Sequence, residues 1–92
     1  MSSQPRTRPA ALGLEIAAKL REALARQQMT QAELGERVSI STSQISLYLR
    51  GKRSMSIDEF ANICNALDLP TQEVYDQAVI ATRFDEATAL AK

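Results

Sequence analysis

Apolar residues recur along this chain at helical spacing, in blocks separated by short polar breaks. In the first block Ile16, Ala17, Leu20, Ala23 and Leu24 fall on one stripe, which predicts a helix over 11–27. Thr30 then offers a side-chain oxygen to cap a second helix, and Glu33, three residues on, completes a capping box. Apolar positions follow at Ala32, Leu34 and Val38, with a polar break at Ser39-Ile40-Ser41. A third helix is predicted from Ile45, Tyr48 and Leu49, which recur at i, i+3 and i+4 and form its core face. Gly51 suits the position just past its end, where glycine tolerates a left-handed backbone. Ser56 caps a fourth helix whose inner face reads as Ile57, Phe60, Ala61, Cys64 and Leu67, with Asp58 and Glu59 favourable in its first turn. Asp68-Leu69-Pro70 breaks the chain, and Thr71 with Glu73 starts a fifth helix. No glycine or proline follows Pro70, so either this helix continues past Ala81 or a short sixth one follows. Residues 1–10 are polar, carry two prolines and read as a flexible arm, with a domain over 11–80 and a helical extension or tail over 81–92. The expected fold is all-α, with five or six helices and no strand longer than a few residues.

Composition narrows the function. Ninety-two residues suit one small domain stabilised by a single helical core. No apolar run reaches the length of a membrane span and the amino end lacks a signal-like stretch, so a cytoplasmic protein without membrane association is expected. The single cysteine, Cys64, forms no internal disulfide and falls on the inner face of the fourth helix, where packing explains it better than nucleophilic chemistry. The chain contains no histidine, no glycine-rich phosphate loop and no cysteine–histidine metal spacing, so an enzyme, a cofactor, a metal site or a small-molecule ligand is not expected. The zero net charge is unevenly spread, with +5 over residues 1–53 and −5 over residues 54–92. A basic half facing phosphates and an acidic half facing away is the electrostatic footprint of a nucleic-acid binder.

Residues 31–50, QAELGERVSISTSQISLYLR, combine a capped helix, a tight turn and a second helix. Gly35 interrupts the first of these at a cost of about 1 kcal/mol relative to alanine, tolerable where a neighbouring backbone must come close, and the second helix is expected to cross there. Such a unit places its second helix in the DNA major groove. From MTQAELGERV through SQISLYLRGKRSMSIDEFANICNAL the chain resembles the phage-repressor and Cro class, the xenobiotic-response-element family of bacterial regulators. The resemblance covers about residues 14–78, most of the chain, and rests on Thr30-Gln31, Gly35, Ile45, the Gly51-Lys52-Arg53 exit and the Ser-Met-Ser-Ile restart. It implies a lambda-repressor-like domain. The turn position usually glycine in that family is Ser39 here, which places this serine at positive φ or reshapes the turn. Relatives often carry a buried arginine–glutamate pair at the places of Leu24 and Leu49, so an apolar contact is expected to replace it.

On the side of the third helix opposite the core face lie Thr42, Ser43, Ser46 and Leu47. The resemblance implies that these positions touch base edges: hydroxyls discriminate bases weakly, whereas Leu47 suits a thymine methyl. Phosphate contacts are expected from Gln31 at the amino end of the second helix, from Ser41 before the third, and from the Arg50, Lys52 and Arg53 cluster. Gln44 lies between the faces, within reach of a phosphate or the neighbouring helix. Arg6 and Arg8 fit either a minor-groove arm or a disordered leader. A two-fold dimer on a palindromic double-stranded operator is expected, with Thr71, Val74, Tyr75, Ala78 and Val79 as interface candidates, extended by Phe84 and Leu90. The alternative is that Val74 and Ala78 pack only on their own domain. With only a dozen or so residues after Ile80, no separate effector or self-cleaving domain is expected. The leading reading is a small dimeric repressor, phage immunity or Cro-like. The alternatives are an antitoxin of the same fold, with a toxin or antirepressor as partner protein, and a protein–protein adaptor that does not bind DNA.

Overall fold

The computed structural model describes residues 10–90, with side chains through Arg83. Five helices follow in order: α1 (Ala11–Gln27), α2 (Gln31–Val38), α3 (Thr42–Leu49), α4 (Ile57–Ala66) and α5 (Thr71–Leu90). No strand occurs among the described residues. α5 runs without a break to Leu90, so the chain takes one of the two courses its sequence left open, a continuous helix rather than a sixth.

The helix starts follow the capping chemistry. Thr30 Oγ1 accepts from Glu33 N at 3.0 Å while Glu33 Oε1 accepts from Thr30 N at 2.8 Å, a complete capping box. Ser56 and Glu59 repeat it at α4, at 3.0 and 2.9 Å. Each of the first four helices then exits through a left-handed residue: Gln28 (φ 55°), Ser39 (φ 59°), Gly51 (φ 71°) and Asp68 (φ 57°). Ser39 therefore takes the glycine-like conformation, and the turn keeps its shape.

α1 crosses the bundle, packing on α5 and α3; α2 packs on α3 and α4, and α4 on α5. The core gathers Leu20 and Ala23 of α1, Leu34 of α2, Ile45 and Leu49 of α3, Ile63, Cys64 and Leu67 at α4, and Val74 and Ala78 of α5. Leu24 and Leu49 both belong to this cluster, so apolar packing occupies both places. Gln27 Nε2 of α1 donates to Leu67 O at 2.7 Å, closing the carboxyl end of α4.

One assignment of the inner faces is corrected. Ile57 is 84% exposed, and Ile63 is the fully buried isoleucine of α4. Phe60, Ile63, Cys64 and Leu67 keep the i, i+3, i+4, i+7 stripe, but the first turn carrying Ile57 extends beyond the helices that would cover it. Ala32, apolar but small, is likewise exposed on α2.

Candidate nucleic-acid interface

Gly35 sets how α2 and α3 meet. A Cβ there would lie 2.5 Å from the Ile40 carbonyl oxygen, 3.5 Å from Ile45 Cγ1 and 3.6 Å from Thr42 N. The closest approach is thus made by the turn, whose Ile40 N–H donates to Gly35 O at 2.9 Å, with α3 behind it. Ser41 then caps α3: its Oγ accepts from Gln44 N at 3.2 Å. Held this way, α3 buries Ile45, Tyr48 and Leu49 and presents its other side outward. Thr42 and Ser43 are exposed and Ser46 and Leu47 are half-buried, so among the described residues this face is the more open side of α3.

Around that face the sequence-derived polar candidates take different positions. Gln31 is exposed at the first residue of α2. Arg50, Lys52 and Arg53 are exposed beyond the carboxyl end of α3, where Arg50 Nε also reaches Ser46 O at 3.4 Å. Gln44 is engaged within its own helix: Nε2 donates to Tyr48 Oη at 3.1 Å. Tyr48 in turn donates to Glu59 Oε1 at 2.7 Å, tying α3 to the capping box of α4. The Ser56 backbone N–H and then the Tyr48 hydroxyl hold the Glu59 carboxyl below its usual pKa. Burial, reinforced by the Glu59 hydrogen bond, raises that of Tyr48. Burial likewise pushes the Cys64 thiol up, consistent with packing.

Sequence reasoning missed two side-chain ties of α3, both spanning too many residues to leave a local signature. One is the Tyr48–Glu59 bond; the other is Arg21, whose Nη1 donates from α1 to Leu49 O at the end of α3. Val74 and Ala78 lie in the subunit's own core, 6% and 0% exposed, which leaves Thr71, Tyr75 and Val79 of the five interface candidates with surface to offer. Tyr75 and Ile57 line an open apolar groove of about 570 Å³, bordered by Tyr48 and Arg53. Arg6 and Arg8 lie outside the described residues, as do the side chains of Phe84 and Leu90. Among the described residues no cluster of potential metal ligands forms, and no helix is long and apolar enough to cross a membrane.

Comparison with solved structures gives a consistent picture. The clp gene regulator ClgR from Corynebacterium glutamicum superposes with a TM-score of 0.75 at 27% identity, over 92% of this chain and 87% of that one. The restriction-modification controller protein C.AhdI from Aeromonas hydrophila matches with a TM-score of 0.66 at 23% identity, over 71% of this chain and 98% of that one. The controller protein C.Esp1396I, solved as a tetramer with its natural 35 base-pair operator, matches with a TM-score of 0.70 at 16% identity, over 80% and 97%. The last two likenesses are of fold alone. Comparison with curated protein sequences finds no significant match. The helix-turn-helix family model matches residues 20–74, from the middle of α1 into α5 and with the whole α2–turn–α3 unit inside it. The chain belongs to this helix-turn-helix family, of the xenobiotic-response-element type, whose members are DNA-binding regulators.

Proposed function

We propose that the protein is a small dimeric transcriptional repressor of the phage-immunity or Cro-like kind, which occludes a promoter by laying α3 in the major groove of an operator. The observation that carries this reading is the open face of α3: Thr42, Ser43, Ser46 and Leu47 project away from a helix whose other side is wholly buried. Leu47 packs on a thymine methyl, and the three hydroxyls contact neighbouring base edges. Gln31, Ser41, Arg50, Lys52 and Arg53 take phosphates on either side and set the register. Gln44 has one amide hydrogen committed to Tyr48, so it contributes to a phosphate only through its remaining donor.

Single units of this type read few base pairs, and a second copy of the chain supplies the rest. Thr71, Tyr75 and Val79 form its contact, with Ile57 beside Tyr75 in the apolar groove. Two features support a second copy as the occupant. The groove is apolar and borders Tyr48 and Arg53 at the end of α3, so a partner seated there lies next to the reading helix. Regulators of related fold also assemble, as C.Esp1396I does on its operator.

Selection of bound duplexes from a random pool, followed by sedimentation of the protein with the recovered site, tests the whole reading. Two half-sites one helical turn apart, about 34 Å between centres, and a complex of two chains are expected. Absence of any enriched sequence would replace DNA reading by a protein-binding role, and a persistent one-chain complex would remove the dimer.

A further inference from the structure

α3 has eight residues and no basic side chain in its last turn, yet its terminal carbonyls all have donors. Ser46 O accepts from Arg50 N at 3.0 Å, Leu47 O from Lys52 N at 2.9 Å and Tyr48 O from Gly51 N at 3.1 Å. The remaining carbonyl, Leu49 O, takes a guanidinium N–H of Arg21, 28 residues earlier on α1. Leu49 itself is fully buried, so this carbonyl lies at the margin of the core, where a missing donor is costly.

We propose that Arg21 is a positioning residue for DNA recognition. By gripping the carboxyl end of α3 it fixes the rotation and depth at which Thr42, Ser43, Ser46 and Leu47 are presented. Three features make the grip effective. A hydrogen bond from a charged donor is stronger than a neutral one. The guanidinium also sits at the negative end of the α3 dipole, where a cation is favoured and where Arg50, Lys52 and Arg53 follow directly. Finally, α3 is short, so a small rotation at its end moves every outward side chain together. Gln27 supplies an internal comparison. It closes α4 from the same helix α1 through Leu67 O, but α4 carries none of the proposed base contacts.

The inference rests on the DNA-reading role of α3, and the test separates the two. Arg21→Met, Arg21→Lys and Gln27→Met are compared with the wild type at a temperature where all are folded. Binding is measured on the selected operator and on a scrambled duplex across a salt series, with amide hydrogen exchange recorded at Gly51 and Lys52. Arg21→Met is expected to lose about tenfold in operator affinity. It should lose little on the scrambled duplex, keep its salt slope, and exchange faster at both amides. Arg21→Lys recovers part of the loss, since a single point charge keeps the dipole interaction but not the fork geometry. Gln27→Met melts earlier but reads the operator normally. Equal losses on both duplexes, with a slope shallower by about one, would make Arg21 a direct phosphate ligand instead. A matching operator loss in Gln27→Met would reduce the effect to general stability. Unchanged exchange at Gly51 and Lys52 overturns the grip whatever the DNA does. A wild type that fails to prefer its operator sinks the DNA-reading role and leaves the grip to the exchange result.

Discussion

Gly35 and Gly51 are both closed to a side chain, but by different neighbours. At Gly35 the obstacle is backbone, the Ile40 carbonyl oxygen 2.5 Å from a would-be Cβ, and it cannot move without reopening the turn. At Gly51 the obstacle is Leu14 Cδ2, also at 2.5 Å, the tip of a half-exposed side chain that can rotate away, so the left-handed φ of 71° supplies most of the penalty. Gly35→Ala is therefore expected to cost about 2 kcal/mol despite the better helix propensity of alanine, and Gly51→Ala nearer 1 kcal/mol. Urea unfolding of the two variants measures this, and the reverse order would mean that the turn yields more easily than Leu14. Ser39 is the converse case: a residue with a Cβ held at φ 59°. Ser39→Gly relieves that strain and should raise stability by about 0.5 kcal/mol after the entropy gained by the unfolded chain is deducted. A calorimetric melting temperature below that of the wild type would show the serine hydroxyl to be worth more than the strain.

Among the helices, the joint between α3 and α4 has a pH signature. Glu59 is held below its ordinary pKa when folded, by Ser56 N–H first and Tyr48 second, so its contribution is present above the unfolded carboxyl value of about 4.3. That contribution is lost as pH falls through the folded value. Tyr48 has the opposite displacement: its stabilisation is intact below about pH 10 and is lost as pH rises toward its elevated folded value. Glu59→Gln keeps a side chain able to complete the capping box but removes the carboxylate, so its stability should fall less steeply below about pH 4.5 than the wild type's. Tyr48→Phe should cost about 1 kcal/mol and flatten the alkaline limb; denaturant midpoints across the pH range decide both. This joint also marks where sequence reading stops. The Thr30–Glu33 box and the Ser56 cap were legible because capping is written within four residues, and the α1 and α3 stripes because their spacing is local, whereas the return bond from Glu59 to Ser56 was not read. Nothing near Tyr48 encodes Glu59 as its acceptor, nothing near Arg21 encodes Leu49 O, and left-handed exits at Gln28 and Asp68 leave no glycine to announce them. Ile57 misled for a related reason. Spacing gives the side of a helix but not how far its neighbours extend along it.

For the assembled protein, two levers act on DNA binding independently. Tyr75 is half-exposed beside the 84%-exposed Ile57, so Tyr75→Arg places a charge in the proposed contact between copies while leaving α3 untouched. It should sediment as a monomer and bind a single half-site as the wild-type subunit does, losing only the gain from two-site attachment. A dimer that survives this change would place the contact elsewhere. The second lever is charge. The sequence puts +5 before Ser54 and −5 after it, and α5, which carries Glu73 and Asp76, packs on α1 and α4. Attraction to phosphate is thereby concentrated at the exit of α3, where Lys52 and Arg53 are exposed. Each phosphate neutralised contributes about 0.9 to the slope of log affinity against log salt, so Lys52→Ala with Arg53→Ala should make the slope shallower by about 1.8 per subunit. Affinity should fall on operator and random duplex alike, because the contacts proposed for these cations are with the DNA backbone rather than with bases. Leu47→Ala should behave in the opposite way, sparing the slope and relaxing preference at one base position. If the double alanine variant keeps its slope, the cations lie off the DNA, and α3 must be docked at a different angle from the one its exposed face suggests.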